Sequence, residues 1–214
     1  MKKNILLLLI LMLPIIILAQ SDYNKDIFSV SLNIGHVSTS GIDNTFKNIY
    51  DDYNNSLILI TGVTLSPSIY SNNRFTLGAD LGFNTGTSFA NLKEEQYKRL
   101  DHFTIGVFGE YCFLKKENYN LNVKTGAYIE NYSFLYTRKD PLDITSFSNL
   151  NTTVPIQFTI NFPVRGNQQI GIFIQDNIIV DKGKTKITGI DFSPAYDVKP
   201  ISNNAFLIGI KYGF

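Results

Sequence analysis

The chain has 214 residues, with 19 Lys and Arg against 18 Asp and Glu, so its formal net charge is +1. This balance provides no basic excess for binding nucleic acid, and the single cysteine, Cys112, excludes an internal disulfide. A chain of this length predicts one domain, or two small ones.

The first residues have the features of an export signal. Lys2 and Lys3 form a short basic region, residues 5–18 are apolar, and Ala19 offers a small residue for cleavage. This pattern predicts a secretory signal peptide over residues 1–19, followed by a single domain over residues 20–214. The alternative is an uncleaved anchor, but the run is short for a spanning helix of about 20 residues, and Pro14 interrupts it.

Segments in which large apolar residues alternate with small or polar ones recur along the rest of the chain. This period of two predicts strands with one apolar face. We predict eight strands, over Asp26–Val37, Ser56–Tyr70, Phe75–Gly86, Asp101–Leu114, Tyr119–Tyr132, Leu150–Phe162, Gln169–Val180 and Ile201–Phe214. Their lengths suit the ~9–11 residues that a tilted transmembrane strand requires. In the second strand, Ile58 and Ile60 fall on the otherwise polar face and weaken the pattern.

The connections between these strands alternate in length. The long ones are predicted at Ser38–Asn55, Thr87–Leu100, Ser133–Asn149 and Asp181–Pro200, and the short ones at Ser71–Arg74, Lys115–Asn118 and Pro163–Gln168. The second long connection is rich in charge and is compatible with a short helix. After residue 20 no apolar run approaches the length of a spanning helix, so a membrane form of this chain has to be a closed barrel. Short turns at one end and long loops at the other are typical of outer-membrane barrels.

The last strand ends the chain on an aromatic residue. Its alternate residues are large and apolar: Phe206, Ile208, Ile210, Tyr212 and Phe214. The segment resembles the closing strand of Gram-negative outer-membrane β-barrels, in which a terminal Phe belongs to the signal read by the barrel-assembly machinery. The resemblance to small, porin-like outer-membrane barrels extends over the whole mature chain. It implies an all-β fold, an eight-stranded antiparallel up-and-down transmembrane β-barrel with short periplasmic turns and four long external loops, surrounded by lipids of the cell outer membrane.

The distribution of charge agrees with apolar faces that point to lipid. No predicted strand has Lys or Arg on its apolar face. The one acidic exception, Asp176, is expected near the external end of its strand, or in a register reversed by a bulge. The opposite faces carry Asp80, Glu110, Lys124, Glu130 and Lys211. Side chains fill the lumen of an eight-stranded barrel, and buried charges need partners, so both lysines are predicted to pair with some of these carboxylates. Pro155 lacks a donor for the strand ladder and predicts a bulge.

The sequence contains little that indicates chemistry. The two histidines, His36 and His102, form no metal-binding pattern with Cys112, and no cofactor motif is present, so neither a cofactor nor a metal is predicted. The run from His36 to Ser38 resembles the His-x-Ser motif of outer-membrane lipid A deacylases, in which an acidic residue orients the His. In that family the motif lies in a late strand and Asn usually follows the Ser, whereas here it ends the first strand and Thr39 follows. The alternative is a polar strand end at the membrane surface.

The leading functional hypothesis is a non-enzymatic barrel with a structural or surface-interaction role, mediated by external loops with an unidentified partner. Loop aromatic residues are candidates for these contacts: Phe46, Tyr50, Tyr53, Tyr97 and Tyr136. The alternatives are a lipid A-modifying deacylase using His36 and Ser38, a small pore, a component of envelope assembly or secretion, and a secreted lipocalin-like barrel with its apolar faces inside. Eight strands argue against an open channel. The terminal Phe, and opposite faces rich in Gly, Ser, Thr and Asn, favour the membrane over the lipocalin-like form.

Overall fold

The computed structural model describes residues 28–37, 39, 43–44, 47, 58–91, 96–137, 144–164, 168–188 and 205–214. The predicted signal peptide, Ser38 and the loop residues Phe46, Tyr50 and Tyr53 lie outside these ranges. Among the described residues, no helix combines the length and the apolar character needed to cross a membrane.

Eight strands form a closed antiparallel barrel. They are β1 (Phe28–Val37), β2 (Leu59–Ser71), β3 (Phe75–Asn91), β4 (Gln96–Lys115), β5 (Asn120–Thr137), β6 (Ile144–Pro163), β7 (Gln169–Thr188) and β8 (Ala205–Gly213). Each strand pairs with its neighbours in the chain, and β1 pairs with β8 to close the sheet. The predicted eight-stranded up-and-down barrel is therefore confirmed.

The alternation of side chains produces an apolar belt around the outside of the barrel. On β1, Leu32 is 63% exposed and Ile34 50%, whereas Ser31 and Asn33 between them point inward and are buried. On β8, Phe206, Ile208 and Ile210 are likewise exposed. The large apolar residues thus face away from the barrel axis, as the sequence predicts, which is the reverse of a lipocalin-like arrangement.

The start of β1, the end of β8 and the three short turns lie at the same end of the barrel. Phe28 and Phe214 exchange two backbone hydrogen bonds, of 3.2 and 3.0 Å. The turn between β2 and β3 is stabilised by Asn72, whose side-chain oxygen accepts hydrogen bonds from the backbone N–H groups of Arg74 (2.9 Å) and Phe75 (2.8 Å). In outer-membrane barrels this end faces the periplasm.

At the other end the strands continue past the belt, which corrects three predicted loops. Residues 87–91 and 96–100 are paired strand rather than a loop or a helix, with Ser88 opposite Lys98. Residues 133–137 and 144–149 pair in the same way, with Tyr136 opposite Thr145. Residues 181–188, placed in the fourth loop by the sequence, belong to β7. In the β1–β2 connection, which is the first predicted loop, Asp43, Asn44 and Lys47 have helical conformation.

The sequence assigns these strand ends to loops because the alternation of polar inward and apolar outward residues is reversed above the belt. On β4, the outward Arg99 and Asp101 are charged and form a 3.0 Å ion pair, whereas Leu100 between them points inward and is fully buried. The same strand has polar residues inside and apolar residues outside at membrane depth. A polar outer face is ordinary for the part of a barrel that projects into water, but beside a transmembrane strand it is easily interpreted as a loop.

The inward apolar residues of this projecting part belong to a cluster that we call the external core, which continues down to Phe173 and Leu207 at membrane depth. Its members are buried and mostly apolar: Val37, Ile58, Ile60, Leu100, Tyr132, Phe134, Tyr136, Phe147, Phe173, Ala205 and Leu207. Phe134 and Phe147 pack edge to face, with ring centroids 6.4 Å apart. Ile58 and Ile60, which disturb the sequence pattern of β2, therefore have a packing role. Tyr136 is buried here and is not a loop residue available to a partner, which corrects the prediction.

Two further expectations concern β6 and β7. Pro155 itself pairs in register with Asn177, and the irregularity in the β6–β7 ladder begins at Thr152–Thr153, opposite Ile179 and Asp181. The bulge expected at Pro155 is therefore displaced towards the external end. Asp176 keeps the outward register, opposite Ile156 and Phe206, so of the two explanations for this residue the reversed register is wrong.

Candidate functional site

The lumen is closed by layers of paired side chains, which we describe from the periplasmic end. The first layer is a pair of Lys211 and Glu110, with 2.8 Å between Nζ and Oε2. The side chain of Asn122 donates to the other carboxylate oxygen of Glu110. Below this layer lies a polar cavity of about 90 Å³ that we call the periplasmic vestibule; its lining includes Arg74, Glu110, Cys112, Lys115, Asn161 and Lys211.

The second layer is a pair of Lys124 and Asp80 in the middle of the barrel. Lys124 Nζ lies 2.6 Å from Asp80 Oδ2, and the side chains are 4% and 2% exposed. The Tyr128 hydroxyl donates to the same oxygen, and Lys124 Nζ lies 4.7 Å from the centroid of the Phe108 ring. This buried ion pair, together with the hydrogen bond from Tyr128 to Asp80 Oδ2, links β3 to β5 across the lumen.

The third layer surrounds Glu130, directly under the external core. The Tyr132 hydroxyl donates to Glu130 Oε2 at 2.6 Å, and Asn177 donates to Oε1. His102 Nε2 lies 3.3 Å from Oε1, and the imidazole stacks on the Tyr132 ring with centroids 4.5 Å apart. Asn84 Nδ2 contacts the other nitrogen of His102, Nδ1, at 3.2 Å.

The five charges selected from the sequence all lie in the lumen, where both lysines pair with carboxylates. Lys211 pairs with Glu110 and Lys124 with Asp80, whereas Glu130 is held by His102 and by neutral donors. Sequence reasoning did not select the participating residues His102, Tyr128, Tyr132 and Asn177. The first three lie on the inward parity of β4 and β5, so extending the alternation along those strands is the signal that identifies them.

The charged groups of these layers are engaged with one another and with hydrogen-bond donors. Within the described ranges, no group of three or more His, Cys, Asp and Glu side chains is suited to hold a metal ion. Each carboxylate described above is already engaged by a cation or by hydrogen-bond donors inside the barrel. The chemistry that this arrangement supports is the mutual neutralisation of charge, which fills the lumen with fixed side chains.

The histidine of the deacylase hypothesis, His36, lies on the outer side of the barrel wall. His36 faces outward near the external end of β1, and its Nδ1 lies 3.3 Å from the carbonyl oxygen of Ile58. Phe206 is opposite His36 on one side and opposite Asp176 on the other, so two strand spacings separate the histidine from that carboxylate. Ser38 is outside the described residues. The His–Ser pair stays a prediction, and Asp176 is not placed to orient the histidine.

A separate contact links the β1–β2 connection to the mouth of the barrel above the belt. The hydroxyl of Thr39 donates to Asp43 Oδ2 at 2.7 Å, and both residues are buried. Lys98 of β4 is fully buried near Asp43. Burial lowers the pKa of Lys98 from its ordinary value of 10.5 to about 8, against the opposing attraction of Asp43.

This lysine predicts a pH dependence of stability. Between pH 8 and 10.5 the unfolded chain holds a proton on Lys98 that the folded chain has released, so the free energy of unfolding is expected to rise with pH through this window. The measurement is the thermal midpoint at pH 7.5 and pH 10 for the wild type and for Lys98→Met. The variant is expected to lack this part of the rise, and equal pH slopes in the two proteins contradict the prediction.

Three observations decide the architecture. They are the apolar belt, the closed sheet, and the position of the start of β1, the end of β8 and the short turns at one end of the barrel. The architecture is that of an outer-membrane β-barrel. A closed sheet in which every strand pairs with two neighbours, and whose outward faces form an apolar belt, satisfies the requirements of a hydrocarbon environment.

Solved structures with a similar course of the chain are outer-membrane proteins. The attachment invasion locus protein Ail of Yersinia pestis, solved with the heparin analogue sucrose octasulfate, is 11% identical, with a TM-score of 0.48 over 87% of this chain and 96% of that chain. Neisserial surface protein A is 10% identical, with a TM-score of 0.47 over 90% and 100%. A major outer membrane protein of Thermus thermophilus is 12% identical, with a TM-score of 0.49 over 87% and 98%. No family model and no curated protein matches the sequence.

Proposed function

We propose that the protein is a closed, non-enzymatic barrel of the outer membrane that acts through its external surface. The observation that carries this proposal is the filling of the lumen: two buried ion pairs and the layer around Glu130 cross it at membrane depth, and the external core covers them. A solute would have to displace paired charges and packed aromatic rings. A transport role is therefore disfavoured, and the outside of the barrel remains as its working surface.

The projecting strands support a surface role. The strands β4, β6 and β7 each have 20 residues, about twice the ~9–11 residues needed to cross the membrane. The excess raises the barrel wall about 20 Å above the belt, at ~3.3 Å per residue and a tilt of ~40°. The external core stiffens this part, so it presents the external connections on a rigid support. The partner of these connections is unidentified. The remaining partners are lipids around the belt and the barrel-assembly machinery, which the last strand is proposed to engage.

The closed lumen is tested by conductance. The purified protein is reconstituted in planar bilayers, with a general porin in the same bilayers as the positive control. We expect a flat trace for this barrel at voltages where the porin shows clear steps, because no water-filled path crosses the three layers. Reproducible steps from the purified protein contradict the proposal and favour the alternative of a small pore.

The surface role is tested by exchanging connections. In one variant, residues 92–95 and 138–143 are replaced by Gly-Ser segments of equal length; in the matched control, the periplasmic residues 164–168 are replaced. Gram-negative cells displaying each protein are scored for attachment to one another and to surfaces coated with extracellular-matrix proteins. Attachment is expected to fall only in the external variant, while both variants keep the gel shift of a heat-sensitive barrel. Equal attachment by all displaying cells and by cells lacking the barrel contradicts the surface role.

A further inference from the structure

The periplasmic vestibule carries more positive than negative charge. Its charged lining residues are Arg74, Lys115 and Lys211 against the single carboxylate of Glu110. Lys211 neutralises Glu110 at 2.8 Å, so the excess lies on Arg74 and Lys115. Among the described residues, neither of these two side chains has an ion-pair partner. The vestibule therefore attracts anions from the periplasmic side.

The ends of the strands place the two excess cations at the opening of the vestibule. Arg74 ends the short turn between β2 and β3. The β4–β5 ladder shifts its register between Cys112 and Leu114, after which Lys115 pairs with Asn120. Paired residues share a face of the sheet, and Asn120 also lines the vestibule. Both cations are exposed, so their long side chains are available to a ligand that enters from the periplasm.

The inner side of the vestibule is closed, so a ligand binds there and does not pass through. Lys211 and Glu110 form the floor, and Asn122 donates to the carboxylate of Glu110. The volume of about 90 Å³ admits a few water-sized groups. This is the size of one carboxylate group, and the rest of a larger ligand has to stay outside the barrel. The expected occupant is thus an anionic end group.

Two oxygen atoms of the lining indicate a second property of the occupant. Asn120 Oδ1 and Asn122 Oδ1 are buried and have no hydrogen-bond partner among the residues that the structure describes. Buried acceptors usually have a donor, so an occupant with an N–H group beside its negative charge satisfies the site better than a bare anion. The carboxyl-terminal end of a peptide chain has both groups, a carboxylate and the amide N–H next to it.

From these observations we propose that the periplasmic vestibule binds the carboxyl-terminal end of a periplasmic peptide or protein. Arg74 and Lys115 hold the carboxylate, to which a guanidinium group can donate two parallel hydrogen bonds. The last amide N–H of the peptide donates to one of the two asparagine oxygens. Capture of a terminal carboxylate is a recurring mode of peptide recognition. The site lies at the opposite end of the barrel from the external surface, and it is independent of the role proposed for that surface.

The single cysteine of the sequence serves as the reporter. Cys112 lines the vestibule and is partly exposed. The purified full chain, folded in a zwitterionic detergent, is treated with an anionic and a cationic methanethiosulfonate of similar size in ~0.1 M salt, and each rate is divided by the rate for a free thiol. The relative rate is expected to be about fourfold higher for the anionic reagent, or about twofold for each excess cation. A ratio at or below one overturns the proposal.

Protection of Cys112 from a neutral methanethiosulfonate identifies the ligand. The probes are N-acetyl-Gly-Gly, the same peptide with an amidated carboxyl terminus, and acetate, all at equal concentration and ionic strength. The free acid is expected to slow the reaction, the amide to leave it unchanged, and acetate to act only at higher concentration. Equal slowing by the amide overturns the recognition of the carboxylate. Equal slowing by acetate overturns the peptide assignment and leaves a site for anions only.

Three variants at the rim locate the binding groups. Arg74→Gln and Lys115→Gln are each expected to raise the half-protecting concentration of N-acetyl-Gly-Gly about tenfold, as for one lost charge-assisted hydrogen bond. Lys116→Gln is the matched control, because Lys116 is exposed in the next turn but does not line the vestibule; it is expected to keep the wild-type value. Equal values in all three variants contradict the assignment. If Cys112 does not react with the reagents, equilibrium dialysis of radiolabelled N-acetyl-Gly-Gly decides: one peptide per chain supports the site, and none overturns it.

Discussion

Replacing Lys124 by methionine is expected to lower the free energy of unfolding by about 3–5 kcal/mol, the usual cost of removing one member of a buried ion pair. Without the lysine, which lies 2.6 Å away, Asp80 at 2% exposure would have to hold its charge with no counterion or take up a proton, and either outcome costs free energy. The hydroxyl groups of Tyr128 and Ser66, which also donate to Asp80, do not replace a positive charge. The measurement is urea unfolding of the barrel in detergent micelles.

The double variant Lys124→Met with Asp80→Leu provides the control. It removes both charges and retains the volume, so it is expected to recover most of the lost stability. A double variant as unstable as Lys124→Met contradicts this account, since it would mean that the lysine stabilises the barrel by packing against Phe108 and not by neutralising Asp80. A single variant with unchanged stability would show that water reaches the second layer.

A lysine on the lipid face is expected to have a cost that depends on its depth. Val107 is 59% exposed and is the middle one of the five outward apolar residues of β4, whereas Val180 is 60% exposed and is the last outward apolar residue of β7 before Asp181 and Lys182. We expect Val107→Lys to cost about 2–4 kcal/mol and Val180→Lys about 0–1 kcal/mol, because the penalty falls towards the membrane surface.

The two substitutions are matched in residue type and exposure, so their difference reports depth alone. The measurement is the stability of the barrel refolded into phosphatidylcholine vesicles. The same pair in a small detergent micelle serves as the control, because a thin micelle rim hydrates both positions and the difference is expected to shrink. Equal costs at the two positions in vesicles would contradict the assignment of the belt.

The sequence predicts the transmembrane part of this barrel well, because lipid imposes a strict rule on it. At membrane depth every outward residue has to be apolar, and the polar lumen forces the opposite parity to differ, so Leu77, Leu81 and Phe83 alternate clearly with Asp80 and Asn84 on β3. Above the membrane neither rule holds. Lys98, Leu100, Phe134 and Tyr136 point inward there, and polar residues such as Arg99 and Ser133 face outward, so these strand ends have the composition of loops.

The pairing of the lumen charges is predicted less completely. Parity places Lys124, Lys211 and the three carboxylates inside, but it does not state which of them meet, because the partners lie on strands that are distant in the chain. Lys211 and Glu110 are 101 positions apart. Register, shear and the two irregularities near Thr152 and Asn149 decide which side chains reach the same level. None of these is visible in a single strand.

The position of β8 in the ring has a consequence for how the chain reaches its folded form. This strand pairs with β1 along nine positions and with β7 along another nine, and Ser29 meets Gly213 only after the entire intervening chain has been placed. Until the last segment arrives, two rows of backbone donors and acceptors have no partner, one at each border of an open seven-stranded sheet, and hydrocarbon offers them none. Closure therefore pairs both rows together, at the entropy cost of joining segments that are distant in the chain. A chain cut short before Ala205 would keep two unpaired sheet edges, each able to pair with another chain, and would not form a destabilised barrel.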